Sequence, residues 1–121
     1  MKTAIIGSRG LTVKNLEKYL PEFTEEIVSG GAKGIDTCAK EHAISHGLKL
    51  TEFLPEYDKY GRAAPIRRND KIVEYSDIVI IFWDRQSKGT KYVLGICKKL
   101  KKPYKLFTYS ESIGEYIETN E

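Results

Sequence analysis

The chain has 121 residues, 40% hydrophobic and 31% charged, with a formal net charge of +3. This balance describes a globular chain of one domain, residues 1–121, and excludes disordered and fibrous classes. The longest apolar run, Ile78 to Trp83, is far short of the about 20 residues a membrane span needs, and Met1 to Ile6 is too short for a signal peptide. Cys38 and Cys97 are too few for a disulfide framework or a four-ligand zinc site, so a reducing cytoplasm is expected. Glu111, Glu115, Glu118 and Glu121 lie in a final segment without Lys or Arg; setting these four aside leaves +7 on residues 1–109. A body of that charge attracts phosphates, though ordinary solubility explains it equally.

In chain order, Lys2 to Gly7 predicts a buried strand ending in glycine. Leu11, Leu16, Tyr19 and Leu20 recur at helical spacing and predict a helix closed by Pro21. Glu26 to Ser29 predicts a second strand. Ile35, Ala39 and Ala43 mark a helix from Gly34 to about His46, with Gly47 as its C-terminal stop. Leu48 to Leu54 alternates as a third strand, and residues 55–63 form a loop. A helix follows from about Ala64 to Tyr75, with Pro65 in its first turn. Asp77 to Trp83 predicts a strand apolar on both faces, as central parallel strands are. A helix from Gly89 to about Leu100 and a strand at Tyr104 to Thr108 complete the pattern, with a short helix expected in the tail. Alternating strands and helices predict an α/β, three-layer α/β/α Rossmann-like fold with a mostly parallel sheet of about five strands.

Ligands in such sheets bind beyond the carboxyl ends of the strands. Three strand ends are rich in glycine and polar groups. Gly7, Ser8 and Arg9, with Gly10, suit an anion, or form a plain strand-to-helix turn. Ser29, Gly30, Gly31, Ala32, Lys33, Gly34, Ile35 and Asp36 lead into a helix N-terminus, where amides and a partial positive charge favour phosphate. Asp36 is placed to cap that helix or to accept from a ribose hydroxyl. The segment is neither a P-loop nor Gly-x-Gly-x-x-Gly. Ser87, Gly89 and Thr90 open the last helix, with Thr90 placed to cap it or to meet a phosphate oxygen. Trp83 reads as core more readily than as a base-stacking platform.

These residues resemble the Smf/DprA type of DNA-processing protein. Ser29 to Asp36 followed by Ala39 is similar to that family's Ser-Gly-x-Ala-Arg/Lys-Gly-Ile-Asp signature. Arg68-Asn69, then Ile72 and Ser76-Asp77, is similar to its Arg-Asn-x-Ile-Ile helix. Ser87-x-Gly89-Thr90 matches the third loop loosely. The family belongs to the SLOG superfamily, which also contains the Lonely Guy phosphoribohydrolases. The likeness spans residues 4–108 and implies a single SLOG-like domain with a phosphate- or nucleotide-binding cleft. Gly7, Ser8, Arg9, Ser29, Gly30, Gly31, Lys33, Asp36, Arg68, Asn69, Ser87, Gly89 and Thr90 are the ligand-binding residues it implies. The phosphoribohydrolases carry a glutamate three residues after the motif threonine; here that position is Val93. Without the acid, Arg68 can hold a phosphate but cannot move a proton at neutral pH. The DNA-processing relatives are longer and act as oligomers on single-stranded DNA.

Other constellations are weaker. Cys38, His42 and His46 share one helical stripe, but no carboxylate is evident beside them, so no metal is expected. Lys98, Lys99, Lys101 and Lys102 suit the end of a helix. Tyr57, Tyr60, Arg62 and Arg67 suit either base stacking or a lid or dimer contact. The expected function is binding or sensing of a nucleotide or nucleotide-derived small molecule, with no resident cofactor and no membrane. The alternatives are single-stranded DNA binding, with a homo-oligomer as the implied assembly, or N-glycoside hydrolysis using Asp84 or Glu74.

Overall fold

The computed structural model describes residues 1–121. Six strands form one sheet: β1 (Lys2–Gly7), β2 (Glu26–Ser29), β3 (Lys49–Glu52), β4 (Ile78–Trp83), β5 (Tyr104–Ser110) and β6 (Glu115–Thr119). Their order is β3-β2-β1-β4-β5-β6. The first five run parallel, and β6 returns antiparallel to β5. The helices are α1 (Ile35–Ser45), a single turn α2 (Tyr57–Tyr60), α3 (Ala64–Tyr75) and α4 (Lys88–Leu100).

The centre follows from apolar, β-branched sequence. β1 pairs with β4 from Thr3↔Ile78 to Gly7↔Phe82, and Ile5, Val79, Ile80, Ile81 and Phe82 are wholly buried. Each such side chain contributes about 1.5–3 kcal/mol of transfer free energy. Alternate residues feed opposite layers. Ala4, Ile6, Val79 and Ile81 pack with Ile72 and Val73 of α3 and Val93, Leu94 and Cys97 of α4. Ile5, Ile80 and Phe82 pack with Ile35, Ala39 and Ala43 of α1 and with Val13 and Leu16. The three-layer Rossmann-like arrangement is therefore present, with one strand more than the pattern predicts.

Two elements differ from expectation. The predicted helix before Pro21 is only a 3-10 turn at Leu16–Tyr19. Val13 and Leu16 are buried there as anchors against α1, so their spacing reflects core contact rather than a continuous helix. The tail is a strand, not a helix. It folds back through a turn containing Gly114, whose φ is +76°, and the Tyr116 ring packs on Tyr109 and Phe82. A smaller difference is that residues 57–63, expected as loop, form α2 and a 3-10 turn.

Strand order reverses between β1 and β4. The connection after β1 and α1 cover one face, and α3 and α4 cover the other. A crevice therefore opens at the carboxyl ends of these strands, as the geometry of open α/β sheets requires. No helix is long and apolar enough to cross a membrane.

Candidate functional site

A cleft of about 420 Å³ occupies that crevice. The loop after β1 contributes Gly7, Arg9 and Gly10; the loop after β2 contributes Gly30, Ala32 and Lys33, with Asp36 from α1. α3 supplies Arg68 and Asn69, and the β4–α4 connection supplies Asp84, Ser87, Gly89 and Thr90. The sequence motifs thus converge, although they lie far apart in the chain.

Local chemistry explains the convergence. Gly34 precedes α1 with φ +70°, and a Cβ there would lie 2.3 Å from the Arg9 carbonyl oxygen. Only glycine brings the β1 loop this close to the start of α1. Gly30 is crowded by side-chain ends rather than by backbone. A Cβ would meet Arg68 Nη1 at 2.5 Å and Asp36 Oδ2 at 3.1 Å. The missing side chain lets Arg68 Nη1 donate to the Gly30 carbonyl at 2.7 Å, while Nε donates to Asn69 Oδ1 at 2.8 Å. Two of the three guanidinium nitrogens are committed, and Nη2 has no partner within the chain. Burial lowers the Arg68 pKa from its ordinary 12.5, while Asp36 and Tyr57 oppose the shift and Arg9 reinforces it. The guanidinium stays cationic at neutral pH.

Asp36 sits in the first turn of α1, and its Oδ2 accepts from the Ala32 amide at 3.0 Å. The residue at the cap position is Gly34, which offers no side-chain bond, so Asp36 reaches back to the loop instead of capping. Burial raises its pKa above the usual 3.8, against the pull of the Ala32 amide, Arg68 and Ser29. The carboxylate is thus incompletely compensated, a condition that clusters at functional clefts.

Ser8, Ser29 and Gly31 lie behind the lining rather than on it. Ser8, 2% exposed, accepts from the Asp84 amide at 3.2 Å and so ties the β1 loop to the β4 loop. Ser29 is wholly buried, and its Oγ accepts from the Gly31 amide at 3.3 Å. Gly31, with φ +68°, turns toward Leu54 and Glu52. In the third loop, Ser87 rather than Thr90 caps α4. Its Oγ accepts from the Thr90 amide at 3.4 Å, and the two hydroxyls lie 3.1 Å apart. Trp83 belongs to the core and donates to the Ser87 carbonyl at 3.0 Å.

Asp84 lines the cleft but is absent from the residues singled out for binding. Its Oδ1 accepts from the Ser87 amide at 2.7 Å and the Gln86 amide at 2.8 Å. These bonds hold its pKa below the ordinary value despite some desolvation. A carboxylate stabilised in this way is a poor proton donor. Glu74 is exposed and off the cleft, and Val93 is wholly buried in the core. Tyr57, Tyr60, Arg62 and Arg67 also lie off the lining. Lys71 and Lys59 approach the Tyr60 ring, and Arg67 pairs with Asp70 at 3.6 Å. Lys98, Lys99, Lys101 and Lys102 occupy the far end of α4, where Lys102 donates to the Ser76 carbonyl.

Ile6, Pro65 and Ile72 complete the lining; Ile72 belongs to the Arg68-Asn69 motif, and Ile6 and Pro65 belong to none. Ile6 ends the apolar run of β1 and Pro65 starts α3, so only three-dimensional proximity distinguishes them from core.

Residues 1–59 match the family model described as DNA recombination-mediator protein A. No curated protein and no solved structure matches the chain. The matched stretch contains β1, β2, α1 and β3, and with them the first two of the three converging loops. Across that stretch the chain is similar to that Smf/DprA-type family.

Proposed function

We propose that the chain binds a nucleotide or nucleotide-derived ligand, with its phosphate at the junction of the β2 loop, α1 and α3. One observation carries this reading: Arg68 is half-buried, anchored through two nitrogens and left with a free third, beside a helix start that has no side-chain cap. Oriented guanidinium and amide donors are the groups that phosphate oxygens require. Arg9 and Lys33 line the same cleft and add charge. Asp36 and Asn69 are the polar groups that would meet sugar or base. Recognition needs no resident cofactor, and the free thiols Cys38 and Cys97 suit a reducing cytoplasm. Isothermal titration against nucleoside mono- and diphosphates, ADP-ribose, cyclic dinucleotides and inorganic phosphate tests the reading. Saturable one-to-one binding of a phosphorylated nucleoside supports it, and no heat at millimolar concentration with every compound defeats it.

A second reading, single-stranded DNA, is favoured by the recombination-mediator match over residues 1–59. A homo-oligomer would extend one small cleft into a track along a strand. This reading predicts oligonucleotide affinity that falls steeply with salt, because phosphate contacts release counterions. A labelled oligonucleotide that stays free at low salt removes it.

A further inference from the structure

At the other end of α1, away from the cleft, His42 and His46 stack with ring centroids 4.1 Å apart and planes inclined by 25°. The 3-10 turn brings Glu17 over them, with its Oε2 3.2 Å from His46 Nε2. One ligand atom from each of the three residues lies within 4.8 Å of the others. The sequence suggests no carboxylate partner for this histidine stripe; the fold supplies one from a different segment.

We infer that Glu17, His42 and His46 form a binding site for a divalent transition metal of the zinc class. His46 Nδ1 lies 3.1 Å from the His42 carbonyl oxygen. A carbonyl only accepts, so this contact is a hydrogen bond in the tautomer with the proton on Nδ1 and the lone pair on Nε2; the Ser45 hydroxyl, 3.0 Å from the same Nδ1, then accepts from it or turns away. In that tautomer the lone pair faces a carboxylate oxygen at 3.2 Å, a spacing that a shared metal ion would bridge. Donation from a ligating histidine's second nitrogen to a backbone carbonyl is also the usual outer-shell support of a metal site. Two imidazolium rings stacked at this distance would repel, whereas neutral rings are the form that ligates.

Zinc takes nitrogen and oxygen ligands at about 2.0–2.2 Å, so its ligand atoms sit roughly 3.3 Å apart. Side chains that remain 47% exposed at His46 and 63% exposed at Glu17 can rotate to close the remaining gap. Imidazole with one carboxylate suits zinc, cobalt, nickel or copper rather than calcium or magnesium. Three protein ligands leave a position for water. Cys38 does not join, because its Sγ accepts from the Val13 amide at 3.4 Å. A bound ion would staple the Leu16–Tyr19 turn to α1.

The competing occupant is a proton, which would make the Glu17–His46 contact a plain surface ion pair. Tag-free protein titrated with Zn²⁺ by calorimetry, and with Co²⁺ by visible absorption, separates the two. The site predicts one equivalent bound, cobalt bands of a low-coordinate complex, and a rise in melting temperature reversed by chelator. His46→Ala, His42→Ala and Glu17→Gln, each checked for retained fold by circular dichroism, should each weaken zinc binding by more than roughly tenfold, since even outer-shell changes cost about 10–100-fold. No metal binding by the unaltered protein, or affinity retained in any of the three variants, overturns the site as stated.

Discussion

β2 begins with one buried carboxylate, Glu26, and leads at its other end through a loop to Asp36 in the first turn of α1; the two are shifted in opposite directions. Glu26, 8% exposed, accepts from the Tyr75 hydroxyl at 2.6 Å and the Thr51 hydroxyl at 2.8 Å, with Lys49 at 3.6 Å. Burial pushes its carboxyl up, but these bonds outweigh burial and hold it below 4.5. Asp36 has the Ala32 amide, the nearby Arg68 guanidinium and the Ser29 hydroxyl to stabilise it but no direct ion pair, and burial prevails, raising it above 3.8. The amino end of the sheet is therefore satisfied and structural. The carboxyl end holds a carboxylate on which burial prevails and a guanidinium with one nitrogen free, the groups that the proposed phosphate ligand would engage.

The largest test of this contrast is Glu26→Leu. Two part-buried hydroxyls lose their acceptor, at about 1 kcal/mol or more each, so a loss of about 2 kcal/mol in chemical denaturation is expected with no selective effect on nucleotide binding. A neutral outcome would show that the amino-end network is not structural. Arg68→Ala comes next, weakening nucleotide binding by about 1.5–3 kcal/mol, the scale of a charged hydrogen bond. Gly30→Ala should act in the same direction with smaller effect, because the new methyl displaces Nη1 from the Gly30 carbonyl but leaves the charge in place. Asp36→Asn keeps an acceptor for the Ala32 amide and removes the uncompensated charge. Its stability should stay within about 1 kcal/mol of the unaltered protein at neutral pH. Inorganic phosphate should bind more tightly to it, because a neighbouring negative charge has gone.

The pH dependence sharpens the same contrast. Glu26 is lowered in the fold, so its contribution is present above 4.5 and is lost as pH falls through the depressed folded value. Asp36 is raised, so its ionisation costs stability as pH climbs from 3.8 to the folded value and adds no further loss beyond it. Denaturation midpoints against pH should lose the first dependence in Glu26→Gln and the second in Asp36→Asn. Identical profiles in both variants would mean that neither carboxylate is perturbed as described.

Much of this architecture is readable from residue patterns. The apolar runs in β1 and β4 and the four-residue spacing of Ile35, Ala39 and Ala43 locate the sheet and α1, because burial on both faces leaves little freedom in sequence. The Leu16–Tyr19 region misleads because anchoring in a core and helical continuity produce the same leucine spacing. β6 is missed because an edge strand with one exposed face tolerates Glu115 and Glu118, which read as a polar tail. Within the cleft, glycine and arginine motifs point to Gly30 and Arg68, since such residues are rarely needed for packing. Ser8 and Ser29 look equally functional in sequence, yet their hydroxyls are committed to loop amides. Glu17 could not be linked to His46 before folding joined two segments.

The central claim is that the carboxyl-end cleft grips phosphate through Arg68. Parallel calorimetric titration of a nucleoside diphosphate into the unaltered protein and into Arg68→Ala, with matched melting curves to confirm folding, tests it most directly. The account predicts saturable binding to the first and affinity reduced by roughly tenfold or more in the second. Equal affinity in both would contradict it.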